Sequence, residues 1–201
     1  GKGNHDFWWS TASKMYKFFE ENGFDTLKIL YNNAFVLEDR IICGTRGWFP
    51  DESKQVVVGD VDYEKIVNRE LTRLRLSLDA AKKLQLSEQD KNGRTLPIEV
   101  FLHFPPVWAD FSMPEMLSLL QEYEIKRIFF GHIHSAYNAP RSFECQNMTF
   151  TLTSSDFLNF YPLKIWKTID KAAKKRYNIL MMRKFLHKWK NAEKLLSENN
   201  F

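Results

Sequence analysis

Two short apolar runs, each delivered straight into histidine, constrain this chain more than any other feature. Pro97 to Phe104 carries Ile98, Val100, Phe101 and Leu102, the β-branched and aromatic content of a strand. Pro105-Pro106 must end it, because proline cannot donate to a ladder. Arg127 to Gly131 reads as a second, buried strand that hands over to His132 and His134. Between them, Met113 to Glu124 recurs at helical spacing. Strands separated by helices argue for an α/β architecture, in which loops beyond the carboxyl ends of the strands build the binding site. His103, His132 and His134 are expected at that edge.

The remaining chain fits the same class. Ser10-Thr11-Ala12, followed by Met15, Phe18 and Phe19, reads as a capped helix stopped at Asn22-Gly23. Leu27 to Tyr31, Ala34 to Leu37 and Ile41 to Cys43 read as three short strands of a meander, with Asn32-Asn33 as a hairpin turn and Gly44 to Ser53 as a loop. Tyr63 to Leu86 has apolar residues at helical spacing, and the polar stretch Glu88 to Arg94 reads as a surface loop. Met148 to Thr153 alternates like a strand, and Phe157 to Pro162 is irregular and aromatic.

Composition removes several classes. A chain of 201 residues with 44% hydrophobic and 15% aromatic content folds as a globular domain, not as a disordered segment. No run approaches the roughly 18 consecutive apolar residues of a membrane-spanning helix. Cys43 and Cys145 stand far apart and outside any C-x-x-C spacing, so a reducing, cytoplasmic setting is expected, without disulfides or a thiolate metal site. The net charge of +4 is uneven, because ten Lys and Arg against three acids fall from Trp166 onward. Residues 166–201 read as a basic amphipathic helical tail after a domain of residues 1–165. Such a tail suits nucleic acid or an anionic membrane surface, although packing on its own domain with a solvated basic face is preferred.

Four of the five histidines fall in Gly3-Asn4-His5-Asp6, His103, and Gly131-His132-Ile133-His134; His187 lies in the tail. Neutral imidazole nitrogen and an amide oxygen together make a mixed N/O donor set for a divalent ion. The order G-N-H-D, a lone His in a strand-end loop, then G-H-x-H, resembles the last three motifs of the calcineurin-like metallophosphoesterases. Further similarity to a bacterial subgroup of phosphohydrolases runs through Trp8-Trp9-Ser10-Thr11, Gly44 to Trp48, the helix at 68–83 and Leu163 to Ile165.

That resemblance implies a four-layer α/β/β/α sandwich and hydrolysis of a phosphomonoester or phosphodiester. It assigns Asn4, His103 and His132 to one metal, His134 to a second, and His5 to the acid beside them. Two divalent ions are implied, Mn first, with Fe, Zn, Ni or Mg also suited; they would hold the attacking hydroxide between them and clamp the phosphate. The family also carries D-x-H and G-D-x-x-D upstream of G-N-H-D, where this sequence has no residues. The chain by itself is therefore expected to be inactive and to lack the family's first strands. Asp60 and Asp62, in Gly59-Asp60-Val61-Asp62, follow G-N-H-D and are read as a helix cap rather than as substitutes. Arg46 is a candidate for binding substrate phosphate, with a surface salt bridge as the competing reading. Trp8, Trp9 and Trp48 are read as packing around the motif loops. The alternative to an enzyme is a binding module that keeps the fold without the full metal centre.

Overall fold

The structure is a computed structural model, and it describes residues 1–6, 10–48 and 63–165. Trp8, Trp9, Gly59 to Asp62 and the tail 166–201 lie outside the described residues. Gly1–Tyr161 forms one compact unit.

Helix α1 (Ala12–Glu21) starts as the sequence requires, with the Thr11 hydroxyl accepting from the Lys14 N–H at 3.2 Å. It ends at Asn22, and Gly23 follows with φ 64°. The segment expected as a strand over Leu27 to Tyr31 is irregular instead. Its backbone groups are taken by side chains. The Tyr16 hydroxyl bonds Ile29 O at 3.1 Å, Asn33 Nδ2 donates to Ile29 O at 3.0 Å, and Tyr31 N donates to Asn33 Oδ1 at 2.8 Å. The hairpin therefore lies one strand later, joining β1 (Asn33–Leu37) and β2 (Arg40–Thr45) through Glu38-Asp39, with Glu38 at φ 56°.

Helix α2 (Tyr63–Asn92) runs past the expected stop at Leu86. Glu88 to Lys91 are acceptable helix formers, and no residue breaks the helix before Gly93, where φ is 63° and the N–H returns to Gln89 O. The polar stretch is thus the solvated end of the helix. Strand β3 (Ile98–Leu102) follows, then a small ribbon of β4 (Val107–Trp108) and β5 (Phe111–Ser112). Helix α3 (Pro114–Glu122) opens with proline in its first turn and buries Met116, Leu117, Leu119 and Leu120. The chain then forms β6 (Arg127–Phe130), β7 (Ser142–Cys145) and β8 (Met148–Leu152). The last two are a hairpin turning at Gln146-Asn147, both at positive φ, as a two-residue primed turn needs.

The six strands form one mixed sheet in the order β1-β2-β3-β6-β8-β7. The four central strands β2, β3, β6 and β8 are parallel, and both edge strands are antiparallel. Register puts Cys43, Val100, Ile128 and Phe150 in one buried row across them. β2, β3 and β6 are traversed in a single direction, so right-handed crossovers put α2 and α3 on the same face. The two helices meet through Arg75, whose guanidinium donates to both carboxylate oxygens of Glu122. Ser77 of α2 docks on the sheet, its hydroxyl accepting from Gly44 N and donating to Asn33 O. At Gly44 a Cβ would stand 1.9 Å from Phe101 O, so only glycine allows β2 and β3 to approach there. The opposite face stacks Phe101 on Phe129 and holds Glu99 between Arg40 and Arg127, at 2.7 and 2.6 Å.

Parallel order has one consequence for function. The carboxyl ends of β2, β3, β6 and β8 all lie along one edge, so the loops beginning at Arg46, His103, Gly131 and Thr153 emerge side by side. The strand-end loops read from the sequence for His103 and for His132 with His134 are this edge.

Candidate metal centre

Backbone bonding continues past the strands and fixes the loops to one another. His103 N and Phe104 N both donate to Arg46 O, at 3.1 and 2.9 Å. Gly131 N lies within hydrogen-bond reach of Leu102 O and His103 O, and Thr153 N donates to Phe130 O at 2.7 Å. His132 sits in a three-residue turn in which Ile133 N donates to Gly131 O at 2.8 Å, with His132 at φ 66°. Such a turn at a non-glycine residue is strained, and strain of this kind clusters at functional sites.

The Gly3–Asp6 segment comes to the same place. Asp6 Oδ2 accepts from Gly3 N at 2.6 Å and curls the segment into a turn. Asn4 Oδ1 then stands 2.6 Å from His103 Nε2. A Cβ at Gly3 would lie 3.0 Å from His103 Cε1, so any larger residue there would push on the His103 ring by a few tenths of an ångström. The His103 and His132 rings are 5.1 Å apart, and Phe104 packs against both, at 4.8 and 4.3 Å. Three of the sequence-derived candidates, Asn4, His103 and His132, are thus brought together. His5 is exposed beside them, close enough that its charge acts on both imidazoles.

Burial, then the neighbouring His132 and Arg46, push the His103 imidazole down to about 4. Burial lowers His132 as well, with His134 and His5 adding to it. Both rings are therefore neutral at physiological pH, the form that binds a metal. His134 is more exposed and faces Asp156, with His134 Nδ1 3.0 Å from Asp156 Oδ1. The Ser135 N–H, more than any other group, holds the Asp156 carboxyl below the usual carboxylate range.

Arg46 lies along β2's exit from the sheet. Its guanidinium is 4.8 Å from the Trp48 ring and 5.4 Å from the Phe104 ring. Among the described residues no carboxylate stands within ion-pair distance of it, so the surface salt bridge read as its alternative is not formed there. Among the described residues, Arg46 Nε and Trp48 Nε1 are buried and find no hydrogen-bond partner. Trp48 packs on Phe104 at 5.5 Å, in keeping with its reading as loop packing.

The donor set of Asn4 Oδ1 and the two neutral imidazoles fits one divalent ion. The 2.6 Å contact aims an amide oxygen and a ring nitrogen at each other, so that in the metal-free protein a proton on Nε2 joins them. Among the described residues no group of three or more His, Cys, Asp or Glu stands close enough together to hold a metal ion, so the set rests on Asn4 beside two histidines. Two residues at the site carry no motif of their own. Phe104 reads in the sequence as the end of a strand, although its place between His103 and Pro105 marks the loop. Asp156 reaches the site only because β8 pairs in parallel with β6, which its local sequence does not encode. Among the described residues no helix is long and apolar enough to cross a membrane.

Comparison with curated proteins and with solved structures gives no match. The family model described as calcineurin-like phosphoesterase matches residues 2–136. That stretch takes in all three histidine-bearing motifs, and with it the chain belongs to the calcineurin-like phosphoesterase family.

Proposed function

We propose that this protein hydrolyses a phosphomonoester or phosphodiester at the carboxyl edge of its sheet. The observation that carries the reading is the convergence of Asn4, His103 and His132, with Asn4 Oδ1 2.6 Å from His103 Nε2. These three would hold one divalent ion, Mn by first choice, and His134 would contribute to a second. Bound there, the ions would supply charge neutralisation of the phosphate and an activated water. His5, exposed at the rim, would give a proton to the leaving alkoxide. Arg46 would bind phosphate oxygens through its planar fork, its ring contacts with Trp48 and Phe104 fixing the plane. Phe104, packed against both imidazoles at 4.8 and 4.3 Å, would help hold them in place.

The test is metal content and turnover on the same preparation. A form of the protein that also carries the family's D-x-H and G-D-x-x-D segment, purified and equilibrated with Mn, is expected to hydrolyse p-nitrophenyl phosphate or bis(p-nitrophenyl) phosphate, with turnover abolished by chelator and by His103→Ala, whereas residues 1–201 alone are expected to be inactive. A folded protein that binds Mn but turns over neither ester would instead be a binding module on this fold. Turnover unaffected by chelator would overturn the reading entirely.

A further inference from the structure

Asp156 belongs to none of the motifs, yet it emerges beside them. It follows β8, the parallel neighbour of β6, and its two carboxylate oxygens reach adjacent residues of the Gly131–Ser135 loop. Oδ1 lies 3.0 Å from His134 Nδ1, and Oδ2 accepts from Ser135 N at 2.9 Å. An ionised carboxylate only accepts, so the proton in the first contact sits on Nδ1. A neutral imidazole protonated at Nδ1 has its lone pair on Nε2. Among the described residues His134 Nε2 has no hydrogen-bond partner, and the side chain is 57% exposed.

The support beneath Asp156 is itself built. Thr153 donates to Phe130 O through both its N–H and its hydroxyl, at 2.7 and 2.8 Å, which ties the start of the loop to β6. Leu158 N donates to Ser154 O, Asn159 N to Asp156 O, and Phe160 N to Ser155 O, closing a tight turn around the carboxylate. Ser135, the second residue held, has φ 58°, a conformation unfavourable for a side-chain-bearing residue without such a partner.

We propose that Asp156 is a positioning residue that sets His134 in the Nδ1-protonated tautomer and so makes Nε2 the atom offered to a metal ion. This rests on the reading of His134 as a ligand. Two ties, one to the ring and one to the backbone beyond it, fix the ring's protonation, its orientation and the course of the loop together. Carboxylate partners of this kind are worth about 10- to 100-fold in metal affinity when removed.

The experiment uses the protein in a form that also carries the D-x-H and G-D-x-x-D segment, metal-free, with nitrogen-15 NMR of the imidazole rings, followed by titration with Mn alone. Wild-type His134 is expected as the Nδ1–H form. Asp156→Asn is nearly isosteric but has a single acceptor oxygen. With that oxygen on Ser135 N, its amide group donates to Nδ1, and the proton moves to Nε2. Asp156→Ala removes the acceptor altogether and raises the Nε2–H population. Both variants are expected to keep the thermal unfolding midpoint near that of wild type and to bind Mn about 10- to 100-fold more weakly. A purely structural role would tolerate Asn and leave the tautomer unmoved. His134 found as Nε2–H in wild type, or unchanged in both variants, overturns the proposal. So does unchanged Mn affinity with the tautomer inverted. Tautomer inversion in the variants of a protein whose wild type binds no Mn overturns the ligand role of His134, and with it the proposal, while supporting the hold of Asp156 on the ring.

Discussion

Asn4 Oδ1 lies 2.6 Å from His103 Nε2, joining residues 99 positions apart through the two atoms best suited to bind an ion. Loss of either removes a donor from the same point. Asn4→Ala and His103→Ala are each expected to lower bound Mn per chain by at least about tenfold at fixed free Mn, since even partners outside the ligand set are worth that much. Elemental analysis after equilibration measures it. Wild-type occupancy in both variants would remove these residues from the ligand set.

His5 predicts a different pattern. It is exposed beside the two half-buried imidazoles, and in the proposed reaction it would protonate the leaving group. In a form that also carries the D-x-H and G-D-x-x-D segment, His5→Ala should lower kcat by about 10²- to 10⁴-fold, the range for loss of a general acid, with Mn content close to wild type. Metal lost in parallel with activity would make His5 a ligand.

Stability of the metal-free protein should fall with acid. His103 is held down to about 4 in the fold, against about 6.5 in an unfolded chain. Between those values the unfolded state binds the extra proton, so stability is full above about pH 6.5 and declines as pH falls towards 4. His132 is shifted in the same direction. Thermal unfolding midpoints measured with chelator at pH 7, 5.5 and 4.5 check this. His103→Gln should flatten the decline, and a midpoint as high at pH 4.5 as at pH 7 in wild type would contradict the burial argument.

Away from the centre, the charged face of the sheet yields a stability prediction. Glu99 is buried at 1% exposure and accepts from Arg40 and Arg127. Glu99→Ala removes the carboxylate shared by Arg40 and Arg127 and leaves Arg40, with a side chain 11% exposed, paired to Asp39 at 3.0 Å. A loss below the roughly 3–5 kcal/mol of a buried charge left without a partner is expected by denaturant unfolding. Lys17→Ala, which removes an exposed i,i+4 pair with Glu21, should change stability by less than about 0.5 kcal/mol.

Much of the centre could be read from the chain because strand-ending chemistry is local. Pro105-Pro106 and Gly131 stop two apolar runs, and the histidines after them land at one edge once the strands are parallel. Elements set by distant side chains were not legible. Tyr16 and Asn33 claim the backbone of Ile29 and Tyr31, which removes a strand that propensity favours. β7 exists because Gln146-Asn147 adopts a primed turn without the usual Asn-Gly signal. Asp156 gains its role from the neighbour that β8 pairs with, and a strand's partner is not written in its own residues.

The parallel arrangement of β2, β3, β6 and β8 also governs when the centre can come into being. Parallel pairings close long loops before contacts compensate for the lost chain entropy, and chains dominated by them fold slowly. Asn4, His103 and His132 meet only after β3 and β6 have paired and the first residues have returned to them, so no early intermediate can present the three donors together. Ion capture would therefore mark the end of folding rather than guide it. Once captured, an ion that binds the native state alone adds RT ln(1 + [L]/Kd) to its stability. The lifetime of the protein against proteolysis would then track the free metal of its surroundings, which makes metal supply a control on abundance as well as on chemistry.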